Sequence, residues 1–130
     1  ECGIDIRYPV LKLFEESNYE VLKNTIKAAL TRFDFEIHSE SFTLPHCTDE
    51  DSDFVKTLLD SYEAFTGNEK KCIAIGGGTY VHDIPGGVAF GCAMPGTDNR
   101  MHGADEFAII DELITSAEIF TYAIIKICNG

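Results

Sequence analysis

Apolar and polar positions alternate in the first ten residues: Ile4, Ile6, Tyr8 and Val10 are interleaved with Asp5, Arg7 and Pro9. A period of two is the signature of a half-buried strand, so residues 3–10 are expected to be extended, with Arg7 on the polar face. The period then changes. Val21, Leu22, Ile26, Ala29, Leu30 and Phe33 recur at helical spacing, and Ser17 followed three residues later by Glu20 forms a capping box. A helix over 18–33 follows, and the extended "DFEIHSESFTL" after it completes a β-α-β unit, with a bulge or bend where the alternation slips between Ile37 and Phe42.

"PHCTDEDSD" is polar, acidic and proline-containing, and it reads as a hinge between two domains. Beyond it, Phe54, Val55, Leu58, Leu59, Tyr62 and Phe65 make one helical face that Gly67 stops. "KCIAIG", "GVAFGC" and "EFAII" have the short continuous apolar character of buried strands. The last element, 111–128, is apolar nearly all round in "IFTYAIIKI" and is expected to be well buried. The pattern as a whole predicts an α/β fold, or an α+β fragment of one, divided into residues 1–45 and 46–130.

Composition narrows the function. The chain has 130 residues, 45% of them hydrophobic, and a net charge of −12. Such acidity argues against a phosphate-tracking nucleic-acid binder and against attraction to an anionic membrane. Five cysteines without a CxxC pair point to reduced thiols, several of them packed as small hydrophobes, and to a cytoplasmic protein. The chain opens without Met, directly on the strand pattern, as though cut from something longer.

Most of the glycines fall between residues 74 and 106. "GGGTY" after a strand can cradle an anion with its amides or can simply form a tight loop; it has neither GxGxxG nor a P-loop lysine. Thr79 can hydrogen-bond a substrate or brace the turn. His102, in "DNRMHGADE", can be a metal ligand, a base or a solvated side chain, and His38, His46 and His82 have no spacing that would complete a metal site with it. His46 with Cys47 is a nominal metal-capable pair in the hinge. Arg7 is either a solvated charge or a fork for a carboxylate. Asp105 and Glu106 are adjacent, so their side chains should diverge, and "DEDSD" reads as a charge cluster at a helix start.

"IDIRYP", "DSDFVKTLLDSYEAFTG" and "AIGGGTY...IPGGVAFG...PGTDNRMHGADEF" together resemble, in order and spacing, the C-terminal third of the dinuclear-zinc aminoacylase/dipeptidase family, nearest its bacterial Xaa-His (carnosine-type) dipeptidases. The resemblance implies that residues 1–45 are the β-α-β half of a ferredoxin-like lid and that 46–130 are the C-terminal segment of the catalytic α/β domain. It implies that Arg7 binds the dipeptide's carboxylate, that Gly77, Gly78 and Thr79 line the substrate pocket, and that His102 is the last zinc ligand. The remaining zinc ligands and the glutamate base would lie upstream of Glu1, so the isolated chain is expected to be inactive. Two positions depart from the pattern: His82 stands where relatives often have Arg, and "HGADE" replaces His-Gln-x-Asn-Glu. The expected partners are a dipeptide and the missing N-terminal catalytic segment, with a homodimer as a further option. The alternative reading is a non-catalytic interaction or dimerisation module built on that fold.

Overall fold

In the computed structural model of the chain the described residues are 3–8, 16–91 and 93–129, with side chains from 19 onward in the first helix. They form three helices: α1 (Glu16–Thr31), α2 (Asp53–Thr66) and α3 (Ile110–Asn129). The chain divides into two compact units, Glu1–Cys47 and Thr48–Gly130.

The α/β expectation is overturned, because no strand or sheet occurs among the described residues and the architecture is all-α. "KCIAIG", residues 87–91 of "GVAFGC" and residues 106–109 of "EFAII" lie outside the helices without a ladder, Ile110 opens α3, and Ile73 is 76% exposed. The β-α-β lid and the α/β catalytic segment are corrected with them. Alternation and β-branched content show only that a segment suits a pleated, half-buried surface; a strand exists once a neighbour accepts its hydrogen bonds. Pro9, Val10, Cys2 and Cys92 fall outside the described residues.

In the first unit, Tyr19 is buried, and Leu22, Ile26 and Leu30 continue its face of α1 at half-buried positions. Helix α1 begins at Glu16, so Ser17 lies within it rather than capping it. The helix ends in a Schellman arrangement: Phe35 N–H donates to Leu30 O and Asp34 N–H to Thr31 O, while Asp34 takes a left-handed φ of 58°. That turn sends the chain back along the helix. Phe42 then stacks on Tyr19, and its ring lies 5.7 Å from that of Tyr8 at an interplanar angle of 7°. Tyr8 also donates its hydroxyl to Thr43 O at 2.8 Å. Withdrawal from water pushes the Tyr8 and Tyr19 phenols above their ordinary range.

One polar clamp reinforces this return. Lys23 and Lys27, one turn apart on α1, both reach the Glu40 carboxylate, at 3.2 and 2.8 Å. Hydrogen bonds from Lys27 and then Lys23 hold the Glu40 carboxyl below its usual range.

The second unit is a helix pair. Ser52 caps α2, its Oγ accepting from Val55 N–H at 3.3 Å, and Gly67 closes the helix in a left-handed conformation with φ 67°. Val55, Leu58 and Ser61 are the buried residues of α2; Ser116, Ile119 and Ala123 are those of α3. Each set repeats at three or four residues, so each lines one helical face. Ser61 is fully buried and donates its hydroxyl to Thr57 O at 2.6 Å. Phe65 meets Tyr122 edge to face with ring centres 5.5 Å apart, and Phe90 meets Phe120 at 5.3 Å. The expectation that α3 is buried all round does not hold: Ile124 and Ile125 are more than half exposed. A single neighbouring helix covers one face only.

Leu58 and Ile119 therefore carry most of the helix-pair core, and Ile119→Ala is expected to cost about 2–5 kcal/mol. A urea melt followed by far-UV circular dichroism reads that loss, and Ile119→Val should cost only about 1 kcal/mol. In the first unit, a carboxyl whose folded pKa is depressed contributes stability above its unfolded pKa, about 4.3, and loses it as pH falls through the folded value. The native chain should accordingly lose more of its first-unit stability between pH 7 and pH 3 than Glu40→Gln does. Melts at the two pH values check it, and equal losses would remove the clamp.

Candidate functional site

Arg7 and Asp5 are two apart in an extended-type sequence, the spacing that places side chains on one side of the chain. They pair accordingly: Arg7 Nε and Nη2 both donate to Asp5 Oδ2, at 3.1 and 2.7 Å, on an exposed stretch of the first unit. The carboxylate raises the Arg7 pKa further, through the hydrogen bond first and its charge second. The guanidinium is thus presented with an anionic oxygen already on its fork. Asp5 is a partner that the sequence reading did not assign, although its position two residues before Arg7 carries the signal.

The glycine loop belongs to the second unit. Successive turns run through it: His82 N–H donates to Thr79 O, Ile84 N–H to Val81 O, and Gly87 N–H to Ile84 O, at 2.9–3.1 Å. Gly86 needs its lack of a side chain for φ 72°, and at Gly87 a Cβ would press on Ile84 O at 3.1 Å. Thr48 Oγ1 donates to Gly87 O at 2.6 Å and pins the end of the loop. Gly77 and Gly78 differ. Both are exposed, neither has a positive φ, and a Cβ on either would meet nothing within 4 Å. Thr79 beside them is half-buried.

His102 sits in a second loop of the same unit, closed at its base where Phe107 N–H donates to Asn99 O at 3.2 Å. Thr97 Oγ1 bonds Glu112 Oε1 at 2.6 Å, which ties the entry of this loop to the first turn of α3. Inside it, Asp98 Oδ1 accepts from Arg100 N–H and Asn99 Oδ1 from Met101 N–H, two Asx turns in succession. Arg100, His102 and Asp105 all take left-handed φ values of 57–62°, a concentration of backbone strain in non-glycine residues. His102 N–H donates to Glu106 Oε2 at 3.4 Å, and Asp105 lies 3.7 Å from Arg100 Nη1. The adjacent carboxylates do diverge, each toward a different residue of the loop. Glu112 is a holding residue that the sequence reading passed over, and Glu106, read there only as diverging from Asp105, holds His102; an acid four residues after His102 was the available signal.

The described contacts of Thr79 and of His102 stay within their own loops. Among the described residues no group of three or more His, Cys, Asp or Glu side chains gathers to hold a metal ion. His102 thus offers one imidazole, which on this chain's own residues falls short of the four-coordinate donor set zinc takes. Cys47, Cys72 and Cys128 are all exposed, so Cys72 and Cys128 are not the packed small hydrophobes their apolar surroundings suggested. No helix among the described residues is long and apolar enough to cross a membrane.

Gly103 provides the direct test of the His102 loop. Its N–H closes a turn on Arg100 O at 2.7 Å, and a Cβ there would come within 2.9 Å of that same oxygen. Gly103→Ala is expected to open this turn and shift the backbone amide resonances of residues 99–107 while leaving α2 and α3 unchanged. An NMR amide map shows it; an unperturbed loop would overturn the close approach.

No family model matches the chain, and no solved structure matches it. The chain is 36% identical over 129 residues to a Bacillus subtilis protein named putative dipeptidase YtjP, an alignment covering 99% of this chain and 26% of that protein. It is 34% identical over 133 residues to a protein named putative dipeptidase in Staphylococcus epidermidis, and 32% identical over 133 residues to putative dipeptidase SSP1012 of Staphylococcus saprophyticus. In both, 97% of this chain and 26% of the relative are covered. Over nearly its whole length the chain is thus similar to proteins named putative dipeptidase, and it spans about a quarter of their length.

Proposed function

We propose that this chain supplies substrate-binding groups and one metal ligand to a metal-dependent dipeptidase of the aminoacylase-like, Xaa-His type. The observation that carries the proposal is similarity over nearly the whole chain to proteins named dipeptidases. Arg7 is the group that takes the dipeptide's carboxylate. A guanidinium fork suits that role because it offers two parallel charge-assisted bonds to one carboxylate. Asp5 Oδ2 on the same fork stands in the place of such a carboxylate oxygen, so substrate must share the fork with Asp5 or displace it.

Gly77 and Gly78 are the pocket wall in this proposal, with Thr79 as a hydroxyl facing the peptide. What supports them is that neither φ nor crowding within the chain calls for glycine at 77 or 78. A bare backbone there suits close approach by a ligand. His102 is the zinc donor, held at a strained left-handed position by its N–H bond to Glu106. Because no set of three ligands gathers among the described residues, this reading assigns the others and the catalytic base to the remainder of a dipeptidase-length polypeptide. The residues from the start to about 45 serve as the substrate lid and those from 46 onward as part of the catalytic domain.

The 130 residues alone are expected to show no dipeptide hydrolysis with added zinc, and turnover by them would overturn the need for outside ligands. A chimera with this chain in place of the matching quarter of the Bacillus subtilis relative should hydrolyse dipeptides. In it, Arg7→Ala should lower kcat/KM by about 10–100-fold, the worth of hydrogen bonds to a charged group, and raise KM without changing bound zinc. Asp5→Asn should lower KM. His102→Ala should reduce zinc per chain as read by elemental analysis. An Arg7 variant with native KM would remove Arg7 from the site.

A further inference from the structure

Binding a dipeptide's carboxylate at Arg7 gives Asp5 no part to play, yet Asp5 is the residue whose carboxylate the guanidinium engages. Nε and Nη2 of Arg7 both donate to Asp5 Oδ2, at 3.1 and 2.7 Å. That is the side edge of the guanidinium. The end edge, Nη1 with Nη2, matches a carboxylate equally well, so one arginine can be flanked in its own plane by two carboxylates. Tyr8 holds the neighbouring backbone by donating its hydroxyl to Thr43 O and stacking on Phe42. The Arg7 and Asp5 side chains are 66% and 71% exposed, so a ligand arriving from water meets the pair as a unit.

Charge decides what such a pair selects. Asp5, Arg7 and a bound carboxylate sum to one negative charge, and the net charge of the chain, −12, has the same sign. A further anion on the ligand is repelled; a cation is favoured. In a dipeptide the C-terminal side chain leaves the carbon that bears the carboxylate, and lysine or arginine is long and flexible enough to turn its charge toward Asp5. Histidine in that position offers an N–H donor to the same carboxylate.

We infer that Asp5 is a specificity-determining residue which, beside Arg7, selects dipeptides with a cationic C-terminal side chain over neutral and acidic ones. The inference rests on the reading of Arg7 as the carboxylate fork and adds to it the class of substrate preferred. Asp5 competes with every substrate carboxylate for the guanidinium, and a cationic side chain offsets that competition by pairing with Asp5. Asp5→Asn therefore helps acidic side chains most and cationic ones least.

The experiment titrates the full 130-residue chain, isotopically labelled, with N-acetyl-lysine, N-acetyl-leucine and N-acetyl-glutamate, and follows the Arg7 Nε–H resonance. Dissociation constants are expected to rise in that order, by about threefold or more from lysine to glutamate, the range of an exposed ion pair. Asp5→Asn should bring the three constants together, and Asp5→Glu should restore their order. In the Bacillus subtilis chimera, the ratio of kcat/KM for Ala-Lys over Ala-Glu should fall on Asp5→Asn by a similar factor. Equal affinities in the native chain, an order that survives Asp5→Asn, or a uniform loss of binding in that variant, the mark of a residue that only braces Arg7, would each overturn the inference. A resonance that no probe moves would overturn it as well. An Asp5-dependent order in the titration beside a chimera that hydrolyses no dipeptide would uphold the role of Asp5 and defeat the dipeptidase reading. Hydrolysis that falls with Arg7→Ala but ignores both Asp5 and side-chain charge would do the reverse.

Discussion

Packing of α2 on α3 is the contact on which the second unit depends, and its chemistry is unusual for so small a core. Only Val55, Leu58, Ile119 and Ala123 contribute buried apolar side chains, alongside Ser61 and Ser116. Full burial of a Val, Leu or Ile is worth about 1.5–3 kcal/mol, so this contact is modest in total. The serines do not weaken it by their polarity, since Ser61 returns its hydroxyl to Thr57 O and no buried side-chain nitrogen or oxygen among the described residues lacks a partner. Small side chains at the contact also let the two helices approach closely. What they do not supply is area, and apolar residues elsewhere on α3 remain in water.

The glycine loop and the His102 loop are held within the second unit by polar ties. Thr48 holds the end of the glycine loop through Gly87, and Thr97 holds the entry of the His102 loop through Glu112 at the start of α3. Each is a single side-chain hydrogen bond, worth on the order of 1 kcal/mol. The His102 loop keeps its shape by internal bonds instead: two Asx turns, the Asn99–Phe107 closure and the Glu106 contact. Those bonds offset the cost of three left-handed residues. A loop built in this way is defined locally, independent of any sheet.

The first unit follows a different scheme. Its helix is turned back by Asp34, and the returning chain is fastened by stacked aromatic rings and by one carboxylate between two lysines. Tyr8, next to Arg7 in the chain, joins that aromatic stack and so anchors the backbone beside the guanidinium. The Arg7–Asp5 pair is fully local and solvent-exposed, where an ion pair contributes little to stability. Its importance lies in what it does to the fork that a carboxylate would use.

Much of this was legible from residue order alone wherever the determining physics is local. The helical spacing of Val55, Leu58 and Tyr62, the Gly67 stop, and the divergence of Asp105 and Glu106 all depend on neighbours within four residues. The α3 helix and the rough span of α1 were readable for the same reason, although Ser17 proved to lie inside α1. Strands were not. The apolar runs at 71–76, 87–92 and 106–110 specify a surface that favours pairing, but pairing requires a second chain segment at 4.7–4.9 Å, which no window of sequence contains. The structure selected among local options when it put Asp5 on the Arg7 fork and Glu106 on the His102 N–H, but tertiary packing alone decided that α3 has one covered face where its composition promised several. A helix buries only what a neighbour meets, and sequence names the apolar residues without naming the neighbour.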